Sequence, residues 1–243
     1  MAMLSTFIIA LREGLEASLI VGILVAYIVK TNRTGYLKPL WTGVVSAIIA
    51  SIGLGAFLTF TSVSLSDRGQ GLFAGVTSFI AVALVTWMVF WMKRTARNLR
   101  NELHGKLDVA VTTGPLALAG AAFFAVIREG LETSLFVYTN FQTVKDTTSS
   151  ATGLILGFAV SITLGYLIYK SSIKLNLSKF FTYSGVALII VAAGVLSYGV
   201  HEFQELGFLP GPDAFAWDIT SFIAKDSILG ASLCLLYTSD AAD

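Results

Sequence analysis

Six long apolar runs dominate this chain and leave few folds open to it. They lie at roughly Leu4–Val29, Leu40–Ser62, Gly71–Met92, Leu116–Thr139, Ala151–Tyr169 and Phe180–Val200. A helix that crosses a bilayer needs about 20 mostly apolar residues. Runs of this length are too long for strands, and the alternating segments of a membrane barrel are absent. The expected fold is an all-α integral membrane protein with six to seven transmembrane helices. Only 13% of the residues are charged, against about 25% in a soluble domain. That weighs against a disordered chain, a nucleic-acid binder and a cytosolic enzyme. The lone Cys234 excludes an intramolecular disulfide and a cysteine-cluster metal site. Arg12, Glu13 and Glu16 interrupt the first run, so it reads as a membrane helix rather than a signal peptide.

A seventh run starts near Ser227 and stops by Tyr237. At ~1.5 Å per residue it reaches only about half of a ~30 Å hydrocarbon layer. The expectation is a partial or truncated seventh helix over 227–243, with non-native sequence after about residue 230. Re-reading the gene past that codon checks it.

Basic residues in loops set orientation. The first, third and fifth loops hold Lys30, Arg33, Lys38, Lys93, Arg94, Arg97, Arg100, Lys106, Lys170, Lys174 and Lys179. The second, fourth and sixth hold only Arg68, Lys145 and Lys225. The odd loops are expected in the cytoplasm and the N-terminus outside, in a multi-pass protein of the plasma or inner membrane. The third loop, with Glu102, His104 and Asp108 among its bases, reads as a topology signal that meets lipid headgroups.

The two remaining bases, Arg12 and Arg128, sit inside apolar runs. The first run reads Leu11-Arg-Glu-Gly-Leu-Glu-Ala-Ser-Leu19 and the fourth Ile127-Arg-Glu-Gly-Leu-Glu-Thr-Ser-Leu135, 116 residues on. Ser51-Ile-Gly-Leu-Gly55 and Ser161-Ile-Thr-Leu-Gly165 echo each other at an offset of 110. One permease domain over 1–243 is expected, built from repeats 1–110 and 111–205. Three-helix repeats must invert, an architecture of secondary transporters with a site near the midplane.

Glu13 and Glu16 are three apart and share a helix face, and Arg12 can pair with Glu16 four residues on. Arg128, Glu129 and Glu132 repeat the set. Intramembrane charges cost roughly 2.5–3.5 kcal/mol each by insertion scales. Two arginines against four acids leave an excess of −2, which a polyvalent cation would offset. Glu13, Glu16, Glu129 and Glu132 are therefore the candidate metal ligands, with Arg12 and Arg128 as the supporting ion pairs. An all-carboxylate set suits a hard cation such as ferric iron better than copper(I) or zinc. A pair of interhelical salt bridges that merely lock the bundle is the alternative. No phosphate-binding Gly-rich loop occurs, so the protein is not expected to be an ATP-driven pump by itself; it is expected to be a transporter rather than an enzyme.

These paired Arg-Glu-x-x-Glu motifs resemble those of the oxidase-dependent iron permease family, which spans fungal high-affinity and bacterial ferrous iron permeases. Trp87-Met-Val-Phe-Trp-Met-Lys-Arg94 and His201-Glu-Phe-Gln-Glu-Leu-Gly207 are also similar to the family. The resemblance covers nearly the whole chain. It implies high-affinity iron uptake, with Fe(III) formed from Fe(II) by a partner ferroxidase or a periplasmic or extracellular peroxidase. It implies iron as transported substrate with no permanently bound cofactor, and roles for the six motif residues. Two other classes stay open: a membrane iron-oxidising or oxidase-docking protein, and a permease for another metal such as manganese or lead. Gln70 and Ala74 stand where family members often carry an acid.

The sixth loop is acidic: Glu202, Glu205, Asp213, Asp218 and Asp226 face one Lys225. If the sixth helix continues one turn, His201, Glu202 and Glu205 converge as a possible external intake site; a solvated acidic loop is the alternative. Trp87 and Trp91 suit an interfacial belt. Tyr27, Tyr138 and Asn140 are expected to pack, with a path-lining role as the alternative. Ser18 and Ser134 are expected to hydrogen-bond between helices, with weak oxygen ligands as the alternative.

Overall fold

The computed structural model describes residues 2–95, 113–143, 147–170 and 176–209. Six long helices occupy them: α1 Ala2–Lys30, α2 Leu37–Ser64, α3 Asp67–Thr95, α4 Pro115–Thr143, α5 Thr147–Tyr169 and α6 Leu177–Glu205. The third-loop residues from Arg97 to Asp108, Lys145, Lys174, and everything from Pro210 on lie outside the described residues. That includes the acids Asp213, Asp218 and Asp226, Lys225, Cys234 and the short seventh run. The side chains of Trp91, Lys93 and Arg94 lie outside them too.

Local sequence ends the helices where apolar periodicity stops. Asn32 closes α1 in the left-handed region at φ 57°. Pro115 opens α4, where its missing N–H costs nothing. Asn176 caps α6 by accepting a hydrogen bond from the Lys179 N–H at 3.2 Å. Beyond α6, Gly207 turns the chain at φ 78°. Each helix has at least 23 residues, about 35 Å at ~1.5 Å per residue. Four of them, α2, α3, α5 and α6, are long and apolar enough to cross a membrane by length and composition. The other two, α1 and α4, carry the charged motifs.

Packing is governed by small residues rather than by interlocking large ones. On α5 the buried face is Ser150, Gly153, Gly157, Ser161 and Gly165. On α2 it includes Leu40, Gly43, Ala47 and Ser51. Missing side chains let backbones approach, and dispersion contacts then hold the helices in the absence of a hydrophobic drive. A Cβ on Gly153 would strike the Met3 carbonyl, and one on Gly43 would strike the Ala119 carbonyl. Met3 and Ala119 are 116 apart; Gly43 and Gly153 are 110 apart. The contacts of one half therefore recur in the other at the offsets of the sequence repeat.

The strongest pairings are α1 with α5, α2 with α4, and α3 with α6. Exchanging the halves maps each pair onto a pair. Gly153, Gly157 and Gly165 meet Met3, Ala10 and Ser18 in order, so α1 and α5 run parallel. By contrast α1 and α4 run antiparallel: Ser5 bonds Asn140, while Glu13 and Glu16 meet Glu129. Two apolar clusters flank that meeting point. One gathers Ile20, Leu24, Ile28, Leu40, Val44, Leu118 and Ala122. The other gathers Ile9, Val85, Met88, Phe136, Leu188 and Val191. Trp87 lies exposed on the outside of the bundle.

Candidate metal site

The Arg-Glu-Gly-Leu-Glu segments meet where α1 crosses α4. All four acids, Glu13, Glu16, Glu129 and Glu132, are buried. One carboxylate oxygen from each of Glu13, Glu16 and Glu129 lies within 4.8 Å of the other two. Three oxygens from two helices at this spacing can share one hard cation, which takes oxygen ligands from several sides. Glu132, one turn along α4, accepts from Arg128 Nε at 3.2 Å. The second oxygens of Glu13, Glu129 and Glu132 are buried without a hydrogen-bond partner. Buried carboxylate oxygens are costly to leave unpaired, and a cation would satisfy them.

The two arginines are not equivalent. The Arg12 side chain is 1% exposed and reaches Glu13 Oε1 through Nη1 at 2.7 Å and Glu16 Oε1 through Nη2 at 3.0 Å. Its Nη1 also donates to Met88 Sδ on α3 at 3.0 Å. The Arg128 side chain is 38% exposed. Beside the four acids, one guanidinium is thus clamped and the other lies on the margin of the cluster.

The glycine at the centre of each motif has a packing role. A Cβ on Gly14 would stand 3.0 Å from side-chain carbons of both Phe158 and Ser161, and closer still to the Ser161 hydroxyl. A Cβ on Gly130 would stand 2.8 Å from Ser51 Cβ, with the Ser51 hydroxyl nearer. Each motif therefore docks on the serine of the opposite half's second helix. That docking brings the acids of α1 and α4 to one level. Ser134 Oγ donates to the Ser51 carbonyl at 2.7 Å, an interhelical bond; Ser18 packs against Gly165 instead. Gly130→Ala should destabilise the protein by about 1–3 kcal/mol through overpacking. Ser51→Gly in the same chain should restore thermal stability in detergent. A double variant no more stable than Gly130→Ala would mean that the glycine serves something other than this contact.

At the far end of α6, the helix continues to Glu205, as the intake reading requires. His201 Nε2 and Glu205 Oε1 are 3.1 Å apart. Glu202 turns toward α3, where its Oε2 faces Gly71, and bonds Tyr198. Gly71 adjoins Gln70, whose amide donates to the Leu65 carbonyl. Among the described residues, the only three acid or His side chains that bring ligand atoms within the 4.8 Å spacing are Glu13, Glu16 and Glu129. Tyr138 is buried edge-on to Phe73 at 5.9 Å, and Asn140 is buried against Ser5.

Sequence reasoning missed Met88, which no spacing connects to Arg12. It also missed the docking role of Ser51 and Ser161, although their repeat was visible.

The sequence profile of the iron permease FTR1 family matches residues 3–237. The chain is similar to the ferrous iron permease EfeU of Escherichia coli O6:H1 (strain CFT073), at 37% identity over 227 residues, 92% of this chain and 82% of that one. It is 36% identical over 231 residues to the protein of the same name from Yersinia pestis, 93% of this chain and 81% of that one. No solved structure gives a significant match.

Proposed function

We propose that this chain, which belongs to the iron permease FTR1 family, carries iron across a membrane through the carboxylate cluster between α1 and α4. The observation that carries the reading is the approach of Glu13, Glu16 and Glu129 from two helices. Six helices span the bilayer as an inverted repeat, with the N-terminus outside. The antiparallel α1 and α4, the exchangeable helix pairs and the basic odd loops support that arrangement. Glu132 completes a four-carboxylate site, released from or shared with Arg128 as the ion arrives. Arg12 and Arg128 limit the resting negative charge and keep the acids ionised. The halves then rock so that the site faces the cytoplasm, as in other inverted-repeat carriers. The His201–Glu205 pair and Glu202 gather cations at the outer mouth, an electrostatic effect that salt weakens.

The transported form is Fe(III), produced from Fe(II) by a separate oxidase or peroxidase. Hard carboxylates without a thiolate or intramembrane imidazole favour the trivalent ion. The test is metal-resolved uptake into proteoliposomes. Iron should enter faster from Fe(II) supplied with an oxidase than from Fe(II) kept reduced, and manganese and lead should compete poorly. Equal uptake from Fe(II) kept reduced would remove the oxidase from the mechanism. Fe(II) oxidation by the purified chain alone would favour a membrane oxidase instead.

A further inference from the structure

Arg12 and Arg128 stand in identical pentapeptides but not in identical surroundings. The offset of 110 that relates α2 to α5 also relates α3 to α6. Gly75 packs on Gly199 and Gly185 on Val89, which are the same contact with the halves exchanged. The same offset makes Tyr198 on α6 the counterpart of Met88 on α3. Met88 Sδ accepts from Arg12 Nη1 at 3.0 Å. Tyr198 bonds Glu202 on its own helix, and the Arg128 side chain is 38% exposed. The arginine seated on Met88 is the buried one.

Met88 is itself 1% exposed. It is wedged among Ile9, Val85, Phe136 and Leu188, and a side chain packed on all sides has little freedom in where its sulfur stands. Arg12 Nη1 is shared between that sulfur and Glu13 Oε1, while Nη2 reaches Glu16. The guanidinium is planar, so a contact on Nη1 sets the plane in which both acids are held. A thioether can do this without joining the site. It is a weak, uncharged acceptor, and a hard cation prefers oxygen. A carboxylate at this place would hold Arg12 as well, but it would offer the cation a further ligand and add to the acid excess.

We propose that Met88 is a positioning residue of the carboxylate cluster: it seats Arg12, which in turn aims Glu13 and Glu16 at Glu129. The inference rests on the transport reading above.

Two measurements test it. The first is uptake kinetics. Met88→Leu keeps the volume and removes the sulfur. It should raise the KM for iron by roughly tenfold, with the maximal rate little changed at equal membrane level. Met88→Gln puts back an uncharged acceptor and should restore most of that loss, which a merely space-filling role would not explain. Wild-type KM in Met88→Leu, or a KM in Met88→Gln no better than in Met88→Leu, would overturn the proposal. The second is thermal unfolding in detergent, which does not depend on what is transported. Arg12→Lys should cost more stability than Arg128→Lys in the otherwise wild-type chain, and the gap between them should narrow in Met88→Leu. An unchanged gap would overturn the proposal. Loss of the iron reading with a narrowed gap would leave the seat of Arg12 standing, so the two failures are distinguishable.

Discussion

Glu16→Ala should abolish iron uptake while the protein still reaches the membrane. Glu16 is buried, bridges to Arg12 at 3.0 Å and offers an oxygen within 4.8 Å of Glu129 on the other half. Its removal takes away a ligand, a negative charge and half of the arginine clamp together. Loss of a charge-assisted buried interaction of about 2.7 kcal/mol corresponds to roughly a hundredfold in binding. Glu132→Ala should fail as badly for a different reason. Glu132 accepts from Arg128 Nε, and without it a guanidinium is left beside a site meant for a cation. Radiolabelled iron uptake in cells lacking their own uptake route, normalised to membrane level, gives the result. Wild-type uptake by either variant would end the carboxylate mechanism and return the motifs to the role of bundle locks.

The helices were legible because bilayer thickness imposes a length that composition cannot hide. All six described helices overlap the apolar runs, and each extends them by a few residues, as α6 does from Val200 to Glu205. The motif was legible because charges inside apolar runs are expensive, so their recurrence at Arg12 and Arg128 demanded an explanation. The inequality of the two halves was not legible. Identical pentapeptides sit in different surroundings because α3 supplies Met88 to Arg12, and nothing in the motif records what a third helix brings. The Ser5–Asn140 pair was hidden for a related reason. Serine and asparagine near a helix end are ordinary in sequence.

Arg12→Lys should lower thermal stability far more than Arg128→Lys does, although the two stand in the same pentapeptide. The Arg12 fork spans Glu13 at 2.7 Å and Glu16 at 3.0 Å and touches Met88, all in a dry interior. A lysine has one compact ammonium on a flexible stem and cannot hold two carboxylates in that planar arrangement. One acid is then left buried without its partner, and breaking a buried pair costs about 3–5 kcal/mol. The contact of Arg128 with Glu132 runs through Nε at 3.2 Å, with more than a third of the side chain exposed. An ammonium can follow Glu132 there with less loss. Uptake should fall in Arg12→Lys, because Glu13 and Glu16 lose the geometry that aims them at Glu129. Thermal unfolding in detergent reads the first expectation and iron uptake the second. Equal destabilisation by the two lysines would mean that the resting protein samples both arrangements evenly, with each arginine clamped in turn. The asymmetry would then be one of two interchangeable states. A large difference ties the clamp to α3 and Met88, and makes the first repeat the fixed side of the site against which the second one moves.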